Sequence, residues 1–250
     1  PVLLTRQEAA ALIWGAKQAG RRHPFRAALE SALLKLRALT PGREGRLALA
    51  LEGALEGWTR GTKDYTAFQP TILQLVQAIV ARRRCLVEYQ SPEKEGPRKF
   101  RYDPYHLLWI QGGLYSVGKV PAYGDIITLA VDRIRSLTLT DELFAVDPAF
   151  DPKKYEAEAF GVIWEKPRIV VVRFRADQTP YVQEREWHPT QKLRRLRDGR
   201  AELTFRAGGT FEITRWILGW GDAAEVIRPA SLRREVATIL RAAASLYANR

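Results

Sequence analysis

The sequence predicts an α+β fold in three parts: a helical segment over residues 1–66, a small β-barrel over 67–145, and a second α+β module over 167–250 reached through a linker at 146–166. Three observations predict it. Apolar residues near the start recur at helical spacing. Residues 99–144 instead alternate apolar and polar in short runs separated by Gly and Pro connections, which is the period of strands. From Arg168 onward the order β-α-β-β-α-β is that of a ferredoxin-like fold.

The first helix is expected after Thr5, which with Glu8 forms a capping box: hydroxyl and carboxylate satisfy each other's backbone amides. Ala9, Leu12, Ile13 and Ala16 make its apolar face. Gly20 to Pro24 breaks the pattern, and a second helix is expected from Phe25 to Leu39 on Leu29, Leu33 and Leu36, stopped by Pro41-Gly42. Arg46 to Trp58 offers a third. A further helix is expected from Asp64 to Arg83, with Pro70 in its first turn, where a missing N–H costs nothing. The following Arg82-Arg83-Arg84 either complements the negative end of the helix dipole or binds phosphate, and the sequence leaves both open.

Strands are expected at Arg84 to Gln90, Arg98 to Tyr102, His106 to Gln111, Leu114 to Val120, Asp125 to Ala130 and Arg133 to Leu139. That number suffices to curl into a small barrel and is too small for a sandwich. Gln111-Gly112-Gly113 is the strongest hairpin signal, because two adjacent glycines supply the positive φ angles of a tight strand reversal. Pro121 to Gly124 marks a longer turn, and Ser91 to Arg98 a charged hairpin tip.

Val146 to Lys166 holds Pro148 and Pro152 among mixed charges and reads as an extended linker with one short helix near Tyr155 to Phe160. The final module then runs strand Arg168 to Arg175, helix Thr179 to Glu186, strand Lys192 to Arg197, a type-I′-compatible turn at Asp198-Gly199, strand Arg200 to Phe205, helix Thr210 to Leu218, strand Ala224 to Ile227 and helix Leu232 to Tyr247.

The barrel stretch resembles the WYL domain of bacterial transcriptional regulators. The residues that carry the likeness are Arg101, Pro104, Leu107-Leu108-Trp109, Gly112-Gly113, Leu114-Tyr115-Ser116 and Asp132-Arg133-Ile134, in the family's order. Of the naming triplet only the tyrosine is kept, and Ala130 stands where the family usually has an arginine. The final module resembles the extension found after WYL domains, through Glu184-Arg185, Trp187-His188-Pro189-Thr190-Gln191, Asp198-Gly199, Trp216-Ile217-Leu218, Trp220-Gly221, Pro229 and Leu232. The resemblance implies an Sm-like, SH3-type barrel, a homodimer, and an effector that is nucleic acid, such as single-stranded DNA produced by damage, or a small anion. In that family a winged helix-turn-helix normally precedes, and the sequence shows no basic recognition helix, so the promoter-reading domain is expected to be missing from this chain. The start at Pro1 and the lack of any methionine also suit a piece of a longer protein.

Composition supports a polyanionic partner. Lys and Arg number 40 against 28 Asp and Glu, a formal charge of +12. The single cysteine, Cys85, excludes an internal disulfide and suits a reducing cytoplasm, and no apolar run approaches a membrane span. Motifs for catalysis or a cofactor are missing: there is no nucleophile elbow, phosphate loop or zinc helix, and His23, His106 and His188 do not form a metal set. The sequence therefore predicts a binding protein, with no enzyme activity, metal or cofactor.

Candidate ligand residues are Tyr115 and Arg133, with Arg101, Tyr102, Tyr105, His106 and Ser116 on neighbouring strands. Guanidinium groups fork onto phosphate oxygens, and phenols offer stacking faces and hydroxyls; aromatic residues filling a barrel interior would explain the same pattern. Arg84, Arg173, Arg175, Arg194 and Arg195 are candidate nucleic-acid contacts, since residues 166–200 hold ten Lys and Arg against four Asp and Glu. Two functions remain open: an effector-sensing, dimerising part of a transcriptional regulator, or a constitutive dimerisation scaffold with non-specific nucleic-acid binding.

Overall fold

A computed structural model describes residues 5–18, 23–39, 61 and 63–248, and the chain divides into two compact units between Ala145 and Val146. The helix expected at Arg46 to Trp58 lies outside the described residues.

In the first unit, α1 (Arg6–Gln18) opens with the expected capping box: the Thr5 N–H donates to Glu8 Oε2 at 2.7 Å, and the Glu8 N–H donates back to Thr5 Oγ1 at 3.3 Å. Those bonds hold the Glu8 carboxyl below its ordinary range. Of the expected apolar face Ile13 is buried and Leu12 is exposed. α2 spans Arg26–Leu39. The helix expected from Asp64 begins later. Asp64 Oδ1 accepts from the Thr66 N–H and hydroxyl, a short 3-10 turn covers Thr66–Phe68, and α3 runs Gln69–Ala81. It stops at Arg82, whose left-handed backbone (φ 54°) returns its N–H to Ala78 and Ile79.

Five strands follow: β1 (Arg83–Tyr89), β2 (Arg98–Ile110), β3 (Gly113–Lys119), β4 (Ile126–Ala130) and β5 (Ile134–Leu143), in the antiparallel order β4-β3-β2-β1-β5. α3 buries Ile72, Leu75 and Ala78 against the inward residues Cys85, Val87, Tyr102, Leu114, Leu129, Val131, Ile134 and Leu137. The buried Cys85 thiol is pushed up to about 12 by burial, so it is an inert core residue.

Two features of this sheet differ from expectation. The strands expected on either side of Pro104 are one 13-residue strand, β2, with a register shift between Pro104 and His106. Proline survives in a strand at such an irregularity, because no ladder donor is required of it there. The β2–β3 hairpin is displaced by one residue: the positive φ angles are at Gln111 (48°) and Gly112 (77°), while Gly113 already pairs with Ile110. A Cβ at Gly113 would lie 2.7 Å from the outer end of the Tyr115 ring, so a side chain there would push that ring aside.

The second unit begins with the stretch expected as a linker. It contains α4 (Pro152–Glu158), and Ala159 bridges to Gly208. Glu212 Oε1 and Oε2 then accept from the Val162 and Ile163 N–H groups at 2.6 and 3.1 Å, so the stretch packs as part of this unit. β6 (Arg168–Phe174), α5 (Thr179–Gln183), β7 (Lys192–Arg195), β8 (Ala201–Ala207), α6 (Thr210–Leu218), β9 (Ala224–Arg228) and α7 (Ala230–Ala248) give an antiparallel sheet in the order β7-β8-β6-β9. This is the ferredoxin-like arrangement the sequence predicts.

Val170, Val172, Phe174, Leu203 and Phe205 meet Ile213, Ile217, Leu232 and Val236 of the helices. Trp187, Trp216 and Trp220 close one end, 5.4 to 6.3 Å apart. The β7–β8 connection is longer than a type I′ turn: only Gly199 of the Asp198-Gly199 pair has positive φ (84°), and the Leu196 N–H donates to the Arg200 carbonyl.

Candidate ligand-binding site

Pairing of β3 with β4 places Tyr115 opposite Ala130. The next three residues, Val131–Arg133, form a 3-10 turn pinned by the buried Val131, which brings Asp132 and Arg133 to the same end of the sheet. Arg133 is exposed, its carbonyl accepts the Gln90 N–H at 3.0 Å, and its guanidinium has no ion-pair partner among the described residues.

Asp132 does not neutralise it. The Asp132 carboxylate is held by Lys63 Nζ at 2.8 and 2.9 Å and by the Tyr65 hydroxyl at 3.3 Å. Lys63 also lies 5.7 Å from the centroid of the half-buried Tyr115 ring. Tyr65 is fully buried, and its oxygen accepts the Leu114 N–H at 2.7 Å. Burial pushes its phenol up to about 12; donation from Leu114 works the other way and the charge on Asp132 adds to the rise. Tyr65 therefore stays neutral and keeps its proton for Asp132.

The other expected ligand residues lie elsewhere. Tyr102 is buried and donates to the Ser116 carbonyl at 2.9 Å, with Ser116 Oγ at 3.0 Å, so Tyr102 and Ser116 form an internal pair. Tyr105 is buried 5.7 Å from Phe144, and His106 is half-buried opposite Val117. Arg101 joins a separate charged cluster, 3.1 Å from Glu142. There Arg84 donates Nε and Nη2 to the buried Asp103 at 2.6 and 3.0 Å and Nη1 to Glu142 at 2.8 Å. The bonds to Asp103 raise the Arg84 guanidinium above its ordinary value.

Of the expected nucleic-acid contacts in the second unit, Arg173, Arg175 and Arg194 have local carboxylates. Arg194, Glu202, Arg173 and Glu225 stand side by side across four strands in alternating sign. Glu202 accepts from Arg173 at 2.8 Å and from Arg194 at 2.5 Å, which holds its carboxyl below the ordinary range, Arg194 contributing most. Arg175 is paired with Asp177 and Asp222 at 2.8 and 2.7 Å. Arg195 bonds Gln183. Lys192, Arg194 and Arg195 belong to the edge strand, where cationic side chains also deter pairing with another sheet.

Lys63 and Tyr65 escape a reading by motif, because they precede every strand. The signal that could have found them is Asp64-x-Thr66, an Asx turn that delays the helix and leaves Tyr65 pointing into the sheet. Among the described residues no cluster of three His, Cys, Asp or Glu is placed to hold a metal ion, and no helix is long and apolar enough to cross a membrane.

A five-stranded antiparallel sheet packed on a helix, followed by a ferredoxin-like module, defines a two-unit α+β chain. Residues 70–139 match the WYL domain family and residues 166–244 match the WCX domain family, and the chain belongs to the family of proteins that carry these two domains. Comparison with curated protein sequences returns no match. Among solved structures, the proteasome accessory factor B/C (PafBC) of Arthrobacter aurescens aligns with 100% of this chain and 37% of its own, at 21% identity and a TM-score of 0.37. This chain thus spans little more than a third of that protein. A crystal structure of a CRISPR Cas-related protein aligns with 96% of this chain and 71% of its own, at 13% identity and a TM-score of 0.55, a likeness of fold.

Proposed function

We propose that this chain is the effector-sensing and dimerising part of a cytoplasmic bacterial WYL-family transcriptional regulator, and that the Tyr115–Arg133 surface takes a single-stranded DNA or nucleotide-like effector. The observation that carries the reading is the state of Arg133: exposed, without an ion-pair partner among the described residues, beside an aspartate that Lys63 has already neutralised. A guanidinium in that state offers its forked donors to phosphate, and Tyr115, whose ring the Lys63 ammonium approaches, offers a phenol. Effector binding would modulate promoter binding through a DNA-reading domain elsewhere in the protein. For that, the effector must favour one arrangement of the protein over another, since equal affinity for both shifts nothing. The dimer is supported by the last helix, which leaves Ile239, Leu240, Leu246 and Tyr247 exposed. Arg195 on the edge strand, bonded to the neutral Gln183, would add a sequence-independent phosphate contact of its own.

The test is a titration of fluorescent single-stranded DNA, duplex DNA and mononucleotides. Tyr115→Ala and Arg133→Glu are each expected to weaken single-stranded DNA binding by roughly tenfold or more, with Arg133→Glu also lowering the salt dependence. Unchanged affinity in both variants would remove the reading. A steep salt dependence with no residual affinity at high salt would instead favour the scaffold with non-specific attachment.

A further inference from the structure

Lys63 belongs to no strand of the sheet, yet its ammonium stands beside both Asp132 and Tyr115. It reaches both Asp132 oxygens within 2.9 Å and the Tyr115 ring at 5.7 Å. The strand residue opposite Tyr115 is Ala130, so the sheet supplies no cation at that position. Asp132 has a second donor in Tyr65, so its carboxylate keeps a hydrogen bond when Lys63 is elsewhere. The Lys63 and Asp132 side chains are 34% and 22% exposed, which leaves the ammonium open to water on one side. A lysine is a compact charge with three donors on a flexible stem, suited to exchanging one anion for another.

We propose that Lys63 is a movable anion-binding residue of this site, which leaves Asp132 for a phosphate of the effector as the effector binds. The inference rests on the reading that the Tyr115–Arg133 surface is the effector site. It adds a third contact from outside the sheet and a consequence for regulation. Lys63 lies on the segment that leads into the Thr66–Phe68 turn and α3, downstream of the N-terminal helices. Tyr65 is anchored by burial and by Leu114, so an exchange at Lys63 acts on the chain before Tyr65 and leaves the sheet in place. Asp132 is then a competitor built into the site: it lowers affinity for every anion by holding the cation the anion needs.

The experiment is a mutant cycle in the full chain, with a fluorescein-labelled 12-nucleotide single-stranded DNA as probe and inorganic pyrophosphate as competitor. Lys63→Met is expected to weaken DNA binding ~10-fold and to reduce the slope of log Kd against log salt by about one. Asp132→Asn is expected to tighten binding ~3-fold or more, and that gain is expected to vanish in the Lys63→Met background. A gain that persists without Lys63 would be general electrostatics and would overturn the exchange, as would an Asp132→Asn variant that binds no tighter.

Loss of binding in Tyr115→Ala and Arg133→Glu but not in Lys63→Met would sink this inference alone. Failure of the wild-type protein to bind either probe would sink the effector site with it. Thermal melts identify variants that fail to fold. For that case, hydrogen exchange over residues 61–66 of the unmodified protein gives a second reading: it is expected to rise when DNA binds, and unchanged exchange overturns the proposal.

Discussion

Gly118→Ala is expected to destabilise the first unit by about 3 kcal/mol or more, close to the largest effect a single added methyl can have. A Cβ at Gly118 would lie 2.3 Å from the Asp103 carbonyl oxygen and 2.6 to 2.7 Å from the Tyr102 ring and hydroxyl. None of these atoms can yield. The carbonyl belongs to β2 next to the register shift at Pro104, and the Tyr102 ring is fully buried with its hydroxyl fixed to Ser116. The melting temperature should fall by roughly 10 °C.

Gly113→Ala is the control. Its Cβ would meet only the outer end of the Tyr115 side chain, which can swing away. It should leave the melting temperature within about 3 °C of wild type and act on the site instead. Equal melting temperatures for the two variants would mean that the close approach at Gly118 is not what holds the bent strand.

The contrast between these glycines shows how far the residue pattern carries. Alternation in β1 and β3–β5 and the strand-helix order of the second module are legible, because a half-buried strand must write its inward face into every second residue. The hairpin at Gln111-Gly112-Gly113 is legible as a turn and not in its register. Two glycines suggest where positive φ falls, but it falls on Gln111 and Gly112, and the second glycine already pairs with Ile110 in the ladder. Pro104 reads as a break only until the partner strand is known, since Gly118 opposite it lets one long strand pass.

The site is legible in part for a related reason. Tyr115 and Arg133 stand in a recognisable order, but the identity of the cation that holds Asp132 depends on Lys63, 69 residues away in sequence. The excess of arginine at residues 166–200 likewise looks like open positive charge until cross-strand pairing sets Glu202 between Arg173 and Arg194.

Arg84→Met is expected to cost about 3 to 5 kcal/mol and to leave nucleic-acid affinity unchanged, which separates Arg84 from Arg133 although both stand beside an aspartate in the fold. The Asp103 carboxylate is 6% exposed and the Arg84 side chain 19%, so removing the guanidinium strands a charge away from water. Most of the cost comes from that stranded carboxylate. Adding Asp103→Val to Arg84→Met should therefore restore half or more of the lost stability, because two apolar groups then fill the space of the pair.

Arg84 has Nε, Nη1 and Nη2 all engaged by Asp103 and Glu142, so a phosphate would have to displace carboxylates already in place. Arg133 has none to displace among the described residues, and Arg133→Met should lower affinity and salt slope with a melting temperature close to wild type. The measurements are thermal melts of Arg84→Met, Arg84→Met with Asp103→Val, and Arg133→Met, each followed by a DNA titration at several salt concentrations. A stable Arg84→Met protein with a shallower salt slope would reverse the assignment: the carboxylates around Arg84 would then be a resting partner of a phosphate site, as Asp132 is proposed to be for Lys63.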